Sequence, residues 1–177
     1  MTLGLAPRLP SASPRVLVVD DDSNIHDDYA RCLRDTSRDS ERLVELRGEL
    51  FGWKFGHAEQ EKTGFDLVHA LSGLEGIEKV RKSVEEGRPF ALAFVDMRMP
   101  PGLDGVETIA AMWAVDPAIQ IVLSTAYSDF TWTEVKEGVG RTEGLHLLRK
   151  PFHHSQVRHF AAVLVRKWEL ERRARVA

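Results

Sequence analysis

The feature that most constrains this fold is a series of short apolar runs, each stopping on a charged or hydroxyl residue. Val16–Asp20, Ala91–Asp96, Ile119–Thr125 and Leu145–Lys150 are such runs. Short apolar stretches rich in Val, Ile and Leu, bounded by turn residues or charge, read as strands buried on both faces. Phe65–Ala70 is a weaker fifth. Stripes of helical spacing lie between and after them. Ser23 is placed to cap a helix carrying Ile25, Tyr29, Cys32 and Leu33. Leu74, Ile77, Val80 and Val84 form a second stripe, ended by Gly87 and Pro89. Val106, Ile109, Ala110 and Trp113 form a third, ended by Asp116-Pro117. Trp132, Val135 and Val139 form a short fourth, and Val157, Phe160, Ala161, Leu164 and Trp168 a long last one. Strand and helix alternating in this way predict an α/β fold, an open parallel sheet with helices on both faces.

In such sheets the ligand crevice lies at the carboxyl ends of the strands. The first run ends there in "VLVVDDDSN". Three adjacent carboxylates at the end of a buried strand repel one another and resist desolvation. A cation must therefore share the place, or one acid must turn to solvent. Asp20, Asp21 and Asp22 close the first strand, Asp96 the third, Thr125 the fourth and Lys150 the fifth. Two acids can hold a magnesium ion whose remaining ligands are water and phosphate oxygens. A further aspartate can act as nucleophile and carry a phosphoryl group as an acyl phosphate. A lysine and a hydroxyl at the rim can then bind the phosphoryl oxygens.

Bulk properties narrow the field. A chain of 177 residues has room for one domain with a true core. A net charge of −3 argues against non-specific binding to nucleic acid or to an anionic membrane. No apolar run approaches the roughly twenty residues that span a bilayer. The single cysteine, Cys32, allows no internal disulfide and fits a reducing cytoplasm, and its place on an apolar stripe predicts simple packing. The histidines at 153 and 154 are adjacent and would not share a helix face, so zinc is not expected there. His154 and Ser155 instead begin the last helix.

The segments "VLVVDDD", "FVDMRMP…DG", "VLSTA" and "LLRKPF" occur in an order and combination that resemble the receiver domain of bacterial two-component response regulators. The resemblance covers roughly 15–168. It implies a flavodoxin-like (βα)5 fold, a doubly wound parallel sheet of strand order 2-1-3-4-5. It also implies a phosphoryl group passed from a histidine kinase or phosphotransfer protein to Asp96, with Thr125 and Lys150 contacting that group. Asp20, Asp21, Asp96 and the backbone carbonyl of Arg98 match the family's magnesium ligands, with manganese as a substitute. A homodimer through helix 4, strand 5 and helix 5 is a further implication, and direct nucleic-acid or membrane binding is not expected. The chemistry implied is self-phosphorylation and self-dephosphorylation only, not turnover of an external substrate.

Three features depart from the family pattern. Leu147 stands where the family carries an aromatic residue three before the lysine, "MRMPPGLDG" is one residue longer than usual, and 36–63 is an insertion between helix 1 and strand 2. The insertion predicts a short helix near Ser40–Leu50 and an aromatic loop, packed over the sheet edge or docking a partner. Residues 1–14 read as a flexible leader and 169–177 as a solvated extension of the last helix, suited to a coiled-coil linker or to pairing with a second copy. Asp22 reads as a helix cap or turn former. Two rival functions follow from the same residues. A haloacid-dehalogenase-type phosphatase would use Asp20 as its nucleophile, and a pseudo-receiver would bind partners without phosphorylation.

Overall fold

A computed structural model describes residues 13–33, 64–126 and 131–176. The described chain runs β1 (Arg15–Val19), α1 (Ser23–Leu33), β2 (Asp66–Ala70), α2 (Gly73–Glu85), β3 (Leu92–Asp96), α3 (Gly105–Val115), β4 (Gln120–Thr125), α4 (Trp132–Val139), β5 (Leu145–Arg149) and α5 (His154–Val176). The five strands form one parallel sheet in the order β2-β1-β3-β4-β5. The alternation read from the sequence and the strand order implied by the resemblance are therefore both present. The chain is a flavodoxin-like (βα)5 fold. The expected helix near Ser40–Leu50 and its aromatic loop lie outside the described residues, as do residues 1–12.

Alternation of side chains along each strand divides the core in two. Leu17, Val19, Ala93, Val95, Ile121 and Leu123 face α2, α3 and α4, where Ile77, Val80, Ile109, Met112, Trp113, Val135 and Val139 cover them. Val16, Val18, Leu92, Phe94, Val122 and Leu148 face α1 and α5, beneath Tyr29, Cys32, Leu33, Val157, Ala161, Leu164, Val165 and Trp168. Fully burying a side chain of this size contributes about 1.5–3 kcal/mol, and the central strands are buried along their length. Cys32 is one of these packed residues, as expected.

The helix ends explain how the loops are held. Ser23 is the first residue of α1 and not its cap. The cap falls one residue earlier, where Asp22 accepts from the Asn24 backbone N–H at 2.9 Å and from Asn24 Nδ2 at 2.8 Å. A carboxylate at this position reaches the N–H two residues on, which a hydroxyl does more weakly. Asp22 is thus the turn former expected, and it is exposed. At α3, Asp104 and Glu107 make a reciprocal capping box. Gly105 begins that helix hard against the end of β3. A Cβ there would sit 2.5 Å from the Asp96 carbonyl oxygen and 2.9 Å from the Met97 Cα, so only glycine fits without a backbone shift. α4 is capped by Thr131 and closed by Gly140 at φ 74°. α5 begins at His154 and continues unbroken for 23 residues. No described helix is long and apolar enough to cross a membrane.

Candidate functional site

β1 and β5 each end one residue earlier than expected, so Asp20 and Lys150 sit just past their strands, while Asp96 and Thr125 are the last residues of theirs. The backbone network nevertheless continues through them. Asp20 N–H donates to the Ala70 carbonyl at 3.1 Å, Lys150 N–H to Thr125 at 2.9 Å and Met97 N–H to Ser124 at 2.8 Å. The carboxyl ends of the strands are therefore locked into one rim, and the side chains that leave it converge.

Lys150 Nζ lies 2.8 Å from Asp20 Oδ2 and 2.6 Å from Asp96 Oδ1. The other oxygens are held from the backbone: Asp22 N–H donates to Asp20 Oδ1 at 3.0 Å, and Arg98 N–H to Asp96 Oδ2 at 2.9 Å. Asp20 is 2% and Asp96 8% exposed, whereas Asp21 is open to solvent. The three acids still offer ligand atoms within 4.8 Å of one another, and no other such group of His, Cys, Asp or Glu occurs among the described residues. The expected answer to the crowded acids is thus realised twice over. The Lys150 ammonium sits against Asp20, bridging it to Asp96, and both Asp21 and Asp22 turn to solvent.

Charge sets the chemistry of this cluster. Burial pushes the Asp96 carboxyl above the ordinary carboxylate range; the Lys150 ammonium opposes this and the Asp20 carboxylate adds to it. Burial alone would lower the Lys150 pKa, but its hydrogen bonds to Asp20 and Asp96 outweigh that and raise it. Lysine therefore stays cationic and favours the ionised form of its partners. Three carboxylates with this spacing form an all-oxygen donor set of the kind hard divalent cations take. Asp20, Asp21 and Asp96 would hold magnesium, and the Asp21 side chain is open to the water that such an ion retains.

The remaining expected residues are at the same end. Thr125 Oγ1 donates to the Ala126 carbonyl at 3.0 Å. Leu147 is half-buried and packs against the core on the α2–α4 side of the sheet. The peptide bonds Pro100-Pro101, in the lengthened loop, and Lys150-Pro151 are cis.

Two polar contacts beneath the rim escaped the sequence reading. His26 Nε2 is 2.8 Å from the Asp20 carbonyl, which can only accept, so that nitrogen carries the hydrogen. His26 Nδ1 and His69 Nδ1 lie 2.8 Å apart, and in a neutral His26 ring Nδ1 accepts from His69 Nδ1–H. Burial, His26 and Lys79 lower the His69 pKa. Lys79 bonds the His69 carbonyl and lies 2.6 Å from Glu75. The second contact joins Tyr29 Oη and Ser124 Oγ at 2.7 Å, both residues being buried. Tyr29 read as one apolar position of a helical stripe. Only the hydroxyl on a stripe residue, which needs a partner once buried, marked it in advance.

The chain is 30% identical over 97 residues to the sporulation initiation phosphotransferase F of Bacillus subtilis (strain 168), an alignment covering 55% of this chain and 71% of that protein. It is 34% identical over 106 residues to the transcriptional regulatory protein ZraR of Escherichia coli (strain K12), covering 60% of this chain but 20% of that longer protein. No family model matches the chain. Among solved structures, a CheY-like response regulator receiver domain from Methanospirillum hungatei JF-1 superposes with a TM-score of 0.61 at 19% identity, covering 90% of this chain and 99% of that one. A structure described as adenylate cyclase from Rhodopirellula baltica gives 0.64 at 22% identity, covering 93% and 96%. At these identities the structural likeness speaks for the fold.

Proposed function

The chain belongs to the receiver family of two-component response regulators, and from that premise we propose that Asp96 is its phosphoacceptor. The carboxylate of Asp96 attacks the phosphorus of a phosphohistidine on a histidine kinase or phosphotransfer protein. A P–O bond forms as the P–N bond breaks, the imidazole leaves with the electron pair, and Asp96 becomes an acyl phosphate. The observation that carries this reading is the Lys150 ammonium 2.6 Å from Asp96, beside two further acids within metal-sharing distance. Lys150 stays cationic and neutralises charge on the phosphoryl oxygens. The Thr125 hydroxyl turns from Ala126 to donate to them. Asp20, Asp21, Asp96 and the Arg98 carbonyl would hold magnesium, which would supply electrostatic stabilisation of the transferring group. Manganese would take the same oxygen ligands.

A phosphatase centred on Asp20 has less support. The relatives the chain resembles are response-regulator proteins, in keeping with a receiver rather than with a phosphatase. The complete set of acids, hydroxyl and lysine likewise favours phosphoacceptance over a phosphorylation-independent module, and no external substrate is turned over in this scheme. Incubation with acetyl phosphate and magnesium, followed by intact mass, tests the reading. The parent protein gains one phosphoryl group and Asp96→Asn gains none; a labelled Asp96→Asn protein would sink it.

A second copy is the other partner we propose, through α4, β5 and α5. Trp132, Val163 and Leu170 are 39%, 50% and 51% exposed on these helices. Val163 and Leu170 are seven residues apart, a spacing that keeps both on one seam of α5. Sedimentation of the phosphorylated protein should show dimers that Leu170→Lys weakens. Monomers at every concentration would remove this partner.

A further inference from the structure

Tyr29 on α1 and Ser124 on β4 are 95 residues apart, yet their hydroxyls are 2.7 Å from one another. Each residue is 1% exposed. The Tyr29 ring also packs on Phe94, with centroids 4.8 Å apart, and on Phe152, at 5.1 Å. One side chain thus touches α1's sheet face, the strand of Asp96 and the loop that follows Lys150-Pro151. Burial raises the phenol pKa far out of the working range, so the hydroxyl is a fixed neutral dipole.

Ser124 occupies a sensitive position. It pairs in register with Asp96, its carbonyl accepts the Met97 N–H, and the next residue is Thr125. Ser124 thus has its backbone tied to β3 and its side chain to Tyr29, immediately before Thr125. Thr125 must rotate its side chain to exchange the Ala126 carbonyl for a phosphoryl oxygen. On the opposite side of the sheet, Leu147 offers no polar group to the rim.

We propose that Tyr29 is a positioning residue: through Ser124 it holds the end of β4 so that Thr125 meets the group on Asp96, and it transmits displacement of that rim to α1 and Phe152. The inference rests on Asp96 being the phosphoacceptor, and the test separates the two. The probe is beryllofluoride with magnesium, read by backbone amide NMR on the parent protein, Tyr29→Phe and Ser124→Ala. Tyr29→Phe keeps the ring and its packing, and Ser124→Ala opens the same bond from the other side. In the parent, shift changes appear at Asp96, Thr125 and Lys150 and extend to Ile25–Leu33 and Phe152. In either variant the changes at Asp96 and Lys150 persist, while those on α1 and Phe152 shrink severalfold. Acyl-phosphate formation from acetyl phosphate slows by about two- to tenfold, the worth of one net hydrogen bond. The double variant loses no more rate than either single one. Shift patterns and rates unchanged in both variants, even with lowered melting temperatures, would reduce Tyr29 to a packing residue and overturn the proposal, as would additive rate losses. No shift at Asp96 in the parent protein would overturn this inference together with the phosphoacceptor reading.

Discussion

The two ends of the parallel sheet hold their charges in opposite ways. At the amino end, Asp66 lies 3.3 Å from both Arg15 and Arg88, and its side chain is 41% exposed. Cations outnumber the acid there, and water screens Asp66 and Arg88, though Arg15 is largely covered. At the carboxyl end the imbalance is reversed, because one ammonium serves two buried carboxylates with a third beside them. Pairs of the first kind contribute little to stability, about 0–1 kcal/mol. The second kind leaves negative charge in excess within a partly dry crevice, which is unfavourable unless a divalent cation joins it. The difference separates the end that only closes the fold from the end that is poised to take a ligand.

Removing the cation at each end gives the largest contrast. Lys150→Met should lower stability at neutral pH by about 3 kcal/mol, the low end for breaking a buried pair, whereas Arg88→Met should change it by less than about 1 kcal/mol. Denaturant unfolding measures both, and equal effects would erase the contrast. Lys150→Met also has a sign that can be checked. The Asp96 pKa is raised in the folded protein, so the folded state binds that proton more tightly than the unfolded chain. The stability this proton confers is lost as pH rises through the folded pKa. Lys150 opposes the upward shift, so without it carboxyl NMR should find Asp96 titrating at higher pH than in the parent. A lower inflection would contradict the electrostatic account.

A somewhat smaller effect sharpens the same comparison. At a hundredfold excess over its Kd, magnesium should stabilise the parent protein by about 2.7 kcal/mol. Asp21→Asn should lose most of that gain, because the solvent-facing ligand is gone, and Asp66→Asn should keep it. Equal stabilisation of the two variants in thermal unfolding would mean that the ion does not discriminate between the ends.

How much of this was legible in the sequence follows from range and periodicity. Four strands were readable because each apolar run is local and ends on a polar residue; the fifth, which ends on Ala70, was the weaker reading. The crevice was readable because parallel strands all deliver their last residues to one edge, which brings Asp20, Asp96 and Lys150 together without knowledge of their distances. The cap of α1 was displaced by one residue because Asp22 competes with Ser23 for the same role. The Tyr29–Ser124 and His26–His69 contacts were not readable. Each joins residues far apart in the chain by a bond that leaves no spacing pattern, and each buried polar group was masked by membership of a helix or strand stripe. The insertion expected at 36–63 falls outside the described residues.

Gly105 carries a consequence of another kind. Every single-base change in a glycine codon that alters the amino acid introduces a Cβ, and here a Cβ would press on the carbonyl of residue 96. Every amino acid one base away from position 105 therefore meets the same obstruction, although the glycine takes no part in the chemistry. It and the aspartate it abuts would look equally intolerant in a mutational survey, one because the chain could no longer close upon itself and the other because it could no longer be charged.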